Sequence, residues 1–147
     1  MEIWREAIRQ HKCFAVTDPD TTRFHLPMLD WVRFCWLALR VQHGGEIFIP
    51  KLRAWQLGDL ARAFDQPATQ IEARNGDKPA EFLIAPLEVR RTVDLDWAYA
   101  IEPSPDLRAV WNYQSWHGDD LPAGWQYSSD CVERLSIDEL TGLVNDG

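Results

Sequence analysis

Residues 28–39 constrain this chain more than any other stretch. Met28, Trp31, Val32, Cys35 and Leu39 recur at helical spacing, and Phe34, Trp36 and Leu37 widen the apolar stripe almost to the full circumference. Pro27 fits the first turn of such a helix, and His43-Gly44-Gly45 stops it after about Gln42. A helix that is apolar on nearly every side is predicted to be largely buried, with Cys35 as a small core residue. It is interrupted by Asp30 and Arg33 and is too short to span a bilayer, so its cover has to be protein. At 147 residues the chain can supply one hydrophobic core without disulfides or metal.

The remaining pattern mixes short strands with helices. Ile3, Trp4, Ala7 and Ile8 mark a helix over residues 2–10; residues 14–16 read as a strand, followed by a turn at Asp18-Pro19-Asp20. Residues 46–49 read as a short buried strand. Leu57, Leu60, Ala61 and Phe64 give a second amphipathic helix, stopped before Pro67. Residues 70–73 look extended and lead into an Asn75-Gly76 turn. Residues 89–101 are extended, with Tyr99 and Ile101 alternating against polar neighbours. Residues 102–124 form a long irregular excursion, either functional or pinned by its aromatics. Ser136 and Glu139 make a capping box for a terminal helix whose apolar face is Ile137, Leu140, Leu143 and Val144. The fold class is α+β, a single domain over residues 1–147 with about four helices.

Charge narrows the partners. The net charge is −8, which argues against bulk-charge binding to nucleic acid or an anionic membrane surface. The sign is uneven: thirteen basic and twelve acidic residues up to Arg91, two and eleven after it. An anion site therefore belongs in the first ninety residues, where Arg23, Lys51, Arg53, Arg74 and Lys78 sit near Gly or Pro turns. The acidic tail reads as a solvated face. Cys13, Cys35 and Cys131 form no CxxC pair, and His11, His25, His43 and His117 no metal-binding pattern, so no metal site is predicted. Arg5, Arg9 and Lys12 interrupt the N-terminus before any signal-type apolar run, which with the cysteine usage implies a reducing cytoplasm. His25 beside Arg23, or His117 near Asp119 and Asp120, can be drawn as acid–base pairs; surface or capping histidines fit as well. Trp111, Tyr113, Trp116 and Trp125 are able to stack a base or sugar, or to pin a loop.

Several segments, in order, carry a resemblance. They are Asp18-Pro19-Asp20-Thr21-Thr22-Arg23-Phe24, Gly45-Glu46-Ile47-Phe48-Ile49-Pro50-Lys51, Asp59-Leu60-Ala61 and Arg74-Asn75-Gly76-Asp77-Lys78. Glu88-Val89-Arg90-Arg91-Thr92, Gly124-Trp125-Gln126-Tyr127-Ser128-Ser129-Asp130 and the tail over residues 135–140 follow. The set resembles the C-terminal, substrate-binding part of the polysaccharide-biosynthesis nucleotide-sugar 4,6-dehydratases and epimerases, within the extended short-chain dehydrogenase/reductase superfamily. The resemblance implies that Arg23 and Arg74, with Lys78 beside them, lie near the nucleotide diphosphate of a UDP-sugar. Guanidinium forks suit that group because they bind phosphate oxygens bidentately. The alternative for these arginines is pairing with Asp18, Asp20, Asp77 or Glu81. Lys51 and Arg53 read more simply as surface charge.

Two departures bear on activity. The eight glycines offer no G-x-G-x-x-G or G-x-x-G-x-x-G turn for a dinucleotide. Tyr99, Tyr113 and Tyr127 are followed four residues on by Pro103, His117 and Cys131, so the superfamily's Tyr-x-x-x-Lys pair is absent. The expectation is a stand-alone, noncatalytic homologue of the substrate domain, with no cofactor and no catalytic residue, that binds UDP-sugar. Its expected partner is a second copy, in a twofold dimer, or a Rossmann-domain chain. The alternatives are a subunit of a split NAD-dependent enzyme and an oligomeric interaction protein without a ligand.

Overall fold

A computed structural model describes residues 6, 10, 14–65, 68–73 and 75–145. Apart from Glu6 and Gln10, the helix expected over residues 2–10 lies outside the described residues, as do the candidate Arg74, His11 and Cys13. The architecture is α+β, and the chain crosses four times between two compact units.

The first unit comprises Met1–His25, Arg53–Glu81 and Ser129–Gly147. In it β1 (Phe14–Val16) pairs in parallel with β5 (Ala68–Gln70). Strand β2 (Thr22–His25) pairs antiparallel with β4 (Arg53–Gln56), Arg23 lying opposite Trp55. Helix α2 (Leu57–Ala63) buries Leu60, Ala61 and Ala63. It packs against α4 (Ile137–Asn145), whose Leu140 is fully buried. Val16, Phe64 and Leu135 complete that core, with Trp55, Leu57, Leu143 and Val144 around it. Chain crossings here are tight. A Cβ on Gly58 would come within 3.1 Å of the Pro19 carbonyl oxygen, which already accepts the Gly58 N–H at 2.8 Å. A methyl group there would fit only if Pro19 gave by a few tenths of an ångström.

The second unit comprises Leu26–Leu52 and Phe82–Ser128. Its sheet runs β3 (Ile47–Pro50), β8 (Ala98–Ile101), β7 (Thr92–Leu95), β9 (Asp119–Asp120), every pairing antiparallel. Strands β6 (Phe82–Ile84) and β10 (Tyr127–Ser128) form a separate pair. Helix α1 (Met28–Val41), a 3-10 turn (Val89–Arg91) and α3 (Pro105–Trp111) complete the unit.

Several sequence expectations are corrected. Helix α1 forms where its periodicity places it, yet none of its residues is buried, and Cys35 is only half-covered. Apolar periodicity records that a helix needs cover, not that its own chain provides it. Strand β3 is also only partly covered, and Ile47 is exposed. The extended segment after α2 starts at Ala68 rather than Gln70, drawn forward by its register with β1. Residues 102–124 are not irregular throughout. Pro105 at the helix start and Asp106 in the first turn open α3, which closes on Asn112 in the left-handed conformation (φ 49°).

Candidate functional site

The strand carrying Arg23 is fixed by segments far away in sequence. The Thr22 N–H donates to the Pro79 carbonyl at 2.9 Å, so the end of the Asn75–Lys78 turn runs beside β2. Two residues on, Glu81 reaches the same strand: its Oε2 accepts the Phe24 N–H at 3.3 Å and its Oε1 lies 3.6 Å from Arg23 Nε. Ser129 locks the pair together. Its hydroxyl accepts the Glu81 N–H at 2.9 Å and lies 2.8 Å from the Thr22 hydroxyl, while its own N–H donates to the Glu81 carbonyl at 2.9 Å. Thr22 and Ser129 are both fully buried, so these bonds form out of water and fix the backbone on either side of Arg23.

Arg23 itself is partly covered, with 29% of its side chain exposed, and its Nη1 donates to the Thr22 carbonyl at 2.7 Å. Lys78 is exposed and makes no ion pair among the described residues. The turn before it uses Gly76 at φ 96°, a conformation that favours glycine. The structure thus sets Arg23 and the Asn75–Lys78 turn on neighbouring segments, while Arg74 lies outside the described residues. Of the four acids considered for Arg23, Glu81 is the one it meets. Sequence alone had no means to choose among them, because the choice depends on how residues 79–81 pack against β2. The role of Ser129 was not read from the sequence either, although the residue lies inside one of the matching segments.

The other candidate cations are engaged elsewhere, each within its own unit. Lys51 pairs with Asp94 at 2.5 Å and sits over the Tyr99 ring, 5.1 Å from its centroid. Arg53 is held by Glu139 and Glu133. These two are paired groups rather than solvated charge. His117 is exposed at a cavity of about 400 Å³ that it shares with Asp94, Asp96, Trp97 and Asp119. His25 is half-buried opposite Arg53 in the β2–β4 register. No group of three or more His, Cys, Asp or Glu side chains among the described residues is arranged to hold a metal ion. No helix among them is long and apolar enough to cross a membrane.

The aromatics pin segments. Trp116 stacks on His43 at 4.3 Å, with planes 4° apart, and meets Phe48 edge-on. Trp125 stacks on Tyr127 at 5.7 Å. The Tyr127 hydroxyl donates to the Pro50 carbonyl at 2.8 Å and accepts the Leu52 N–H at 2.5 Å, and burial pushes the phenol up to about 12. Tyr113 is likewise pushed up to about 12, chiefly by burial and then by the Glu46 and Glu102 carboxylates. These phenols are neutral structural groups at pH 7. What the Arg23 region offers chemically is a partly covered guanidinium on β2, beside the Glu81 carboxylate.

The comparisons agree with that architecture. The family model for "Polysaccharide biosynthesis protein" matches residues 1–103. The inverting UDP-N-acetylglucosamine 4,6-dehydratase of Campylobacter jejuni subsp. jejuni serotype O:2 is 34% identical over 138 residues, covering 88% of this chain and 41% of the relative. The UDP-glucose 4-epimerase of Rickettsia bellii (strain OSU 85-389) is 30% identical over 146 residues, covering 93% of this chain and 42% of the relative. The X-ray structure of Pen from Bacillus thuringiensis superposes with a TM-score of 0.80 at 21% identity, covering 99% of this chain and 44% of that one, which shows a shared fold. The chain therefore spans about two fifths of the length of the sequence relatives it matches. By the family model and these relatives, the chain belongs to the polysaccharide biosynthesis protein family.

Proposed function

We propose that this chain is the substrate-side portion of a cytoplasmic nucleotide-sugar dehydratase or epimerase system and binds the diphosphate of a UDP-sugar through Arg23, Arg74 and Lys78, without sugar chemistry of its own. The observation that carries the reading is the Thr22–Pro79 hydrogen bond at 2.9 Å, which sets the Arg23 strand against the end of the turn that bears Lys78. Charge-assisted bonds to a diphosphate contribute roughly 1.5–3 kcal/mol each, so two or three support micromolar to millimolar affinity. The two relatives, a UDP-N-acetylglucosamine 4,6-dehydratase and a UDP-glucose 4-epimerase, support the ligand class.

A second reading is favoured by the share of the relatives left unmatched. In it a separate NAD-binding Rossmann chain supplies hydride chemistry, and turnover appears only when that chain is added. Isothermal calorimetry with UDP tests the first reading. Arg23→Ala, Arg74→Ala and Lys78→Ala are each expected to weaken binding about tenfold or more. Arg62→Ala, whose side chain pairs with Asp59 at 3.3 Å on α2, is expected to leave it unchanged. No heat with millimolar UDP overturns the proposal, and turnover of UDP-N-acetylglucosamine by the purified chain alone overturns its noncatalytic part.

A further inference from the structure

The second unit holds a cavity of about 410 Å³ between the 3-10 turn and residues 121–126, within the size range of small-molecule sites. Its lining is graded. Val89 is buried, Leu121 and Trp125 are half-buried, and Pro86, Arg90 and Gln126 are exposed. The covered part is apolar, and the one charged group stands with the exposed residues.

Both walls are held by their own hydrogen bonds. On one side the Glu88 N–H donates to the Ala85 carbonyl at 2.8 Å, and the Thr92 hydroxyl donates to the Glu88 carbonyl at 2.8 Å. On the other, the Trp125 N–H donates to the Pro122 carbonyl at 3.1 Å; its indole stacks on Tyr127 and meets Tyr99 at a tilt, 5.0 Å away. The first wall also decides the charge. Glu88, the acid nearest Arg90 in sequence, is already committed: its Oε2 accepts the Ala85 N–H at 2.9 Å and its Oε1 lies 3.7 Å from Arg91. Arg90 makes no ion pair among the described residues, although the segment after it is strongly acidic.

We propose that this cavity binds a small carboxylate with a flat apolar ring, the ring against Trp125 and Leu121 and the carboxylate on Arg90. A bare anion would leave the apolar lining unfilled, and a neutral ring would leave the guanidinium unmatched. One free guanidinium fork matches one carboxylate, and a flat ring extends the stacking that Trp125 already makes with Tyr127. Because the walls are held without a ligand, little ordering is charged against binding. All the lining residues belong to the second unit, so the site is independent of the UDP reading at Arg23.

Two-dimensional amide NMR of the full chain, titrated with sodium benzoate, tests the proposal. Benzoate is expected to shift the Trp125 and Gln126 amide signals with a roughly millimolar dissociation constant, as its few atoms allow. Benzyl alcohol, with the same ring and no charge, is expected to bind about fivefold or more weakly. Arg90→Gln, at an exposed position, is expected to weaken benzoate by about five- to tenfold, and Arg40→Gln, which removes an exposed charge on α1, to leave it unchanged. Silence of the Trp125 and Gln126 amides at about 20 mM benzoate overturns the proposal. So does wild-type affinity in Arg90→Gln, equal binding of benzyl alcohol, or an equal loss in Arg40→Gln.

Discussion

Arg53 and Glu139, eighty-six residues apart, meet in a two-pronged pair: Nη1 donates to Oε1 at 2.6 Å and Nη2 to Oε2 at 3.0 Å. The same carboxylate starts α4, with Oε2 accepting the Ser136 N–H at 2.8 Å and its hydroxyl at 3.0 Å. One side chain thus both caps a helix and ties it to β4.

The Arg53 hydrogen bond, followed by those from Ser136, holds the Glu139 carboxyl down at about 2. A carboxyl whose folded value lies below its unfolded value stabilises the fold at higher pH. That contribution is present above the ordinary value of 4.5 and is lost as pH falls toward about 2. Glu139→Gln is expected to lower the melting temperature at pH 7 and to flatten its decline between pH 5 and pH 2.5. Parallel thermal melts of wild type and variant check both, and identical acid profiles would refute the assignment. Ser136→Ala is expected to cost about 1 kcal/mol by urea unfolding, as loss of a helix cap does.

The Thr22–Ser129 node gives a sharper stability test. Ser129→Ala removes the acceptor of the Glu81 N–H and the partner of the Thr22 hydroxyl, in a site closed to solvent. Stranded buried polar groups cost roughly 1–3 kcal/mol. Thr22→Val alone strands the Ser129 hydroxyl only in part, because that hydroxyl also donates to the Thr22 carbonyl at 3.1 Å. The double variant is therefore expected to lose less than the sum of the singles, as coupled neighbours do. Additive urea-unfolding losses would argue against a shared node.

These relationships mark the boundary of what the sequence can express. The Ser136–Glu139 box, the Asn75-Gly76 turn and helices α1 and α2 rest on residues within one or two turns of each other, and all were legible. Strands β2, β4 and β6 were not, for each has three or four residues and exists because of a distant partner. Helix α3 was missed for another reason. Its Pro105 and Asp106 are ordinary start signals, but they sit among prolines and tryptophans that read as loop. At the candidate site, resemblance supplied Arg23 and Lys78. The acid that Arg23 meets, and the serine that fixes both strands, emerged only from packing.

Tyr127 predicts behaviour at the alkaline end. Its folded value, about 12, lies above the ordinary value of 10, chiefly because of burial. A phenol raised in this way stabilises the fold below pH 10 and loses that contribution as pH climbs from 10 toward 12. Tyr127→Phe is expected to soften the alkaline decline in melting temperature. At neutral pH it is expected to cost about 1–3 kcal/mol, since the Leu52 N–H loses its acceptor. Absorbance titration at 295 nm of wild type against Tyr127→Phe checks the assignment: the difference curve should be centred well above pH 10. A midpoint at 10 would place this ring in water.

The Arg23–Glu81 pair sets the last expectation. Glu81 is nearly half exposed and its Oε1 stands 3.6 Å from Arg23 Nε, a loose ion pair rather than a locked fork. A diphosphate arriving at Arg23 competes with that carboxylate and meets its repulsion. Glu81→Gln removes the negative charge while leaving an amide oxygen able to accept the Phe24 N–H, so β2 stays in place. Under the UDP-binding reading, this variant is expected to bind UDP three- to tenfold more tightly, a gain of roughly 1 kcal/mol that shrinks as salt screens the wild-type repulsion. Calorimetry at 20 and 300 mM NaCl measures both effects. An affinity that is unchanged or weaker, with wild-type melting temperature, would mean that Glu81 orients Arg23 for the ligand instead of competing with it.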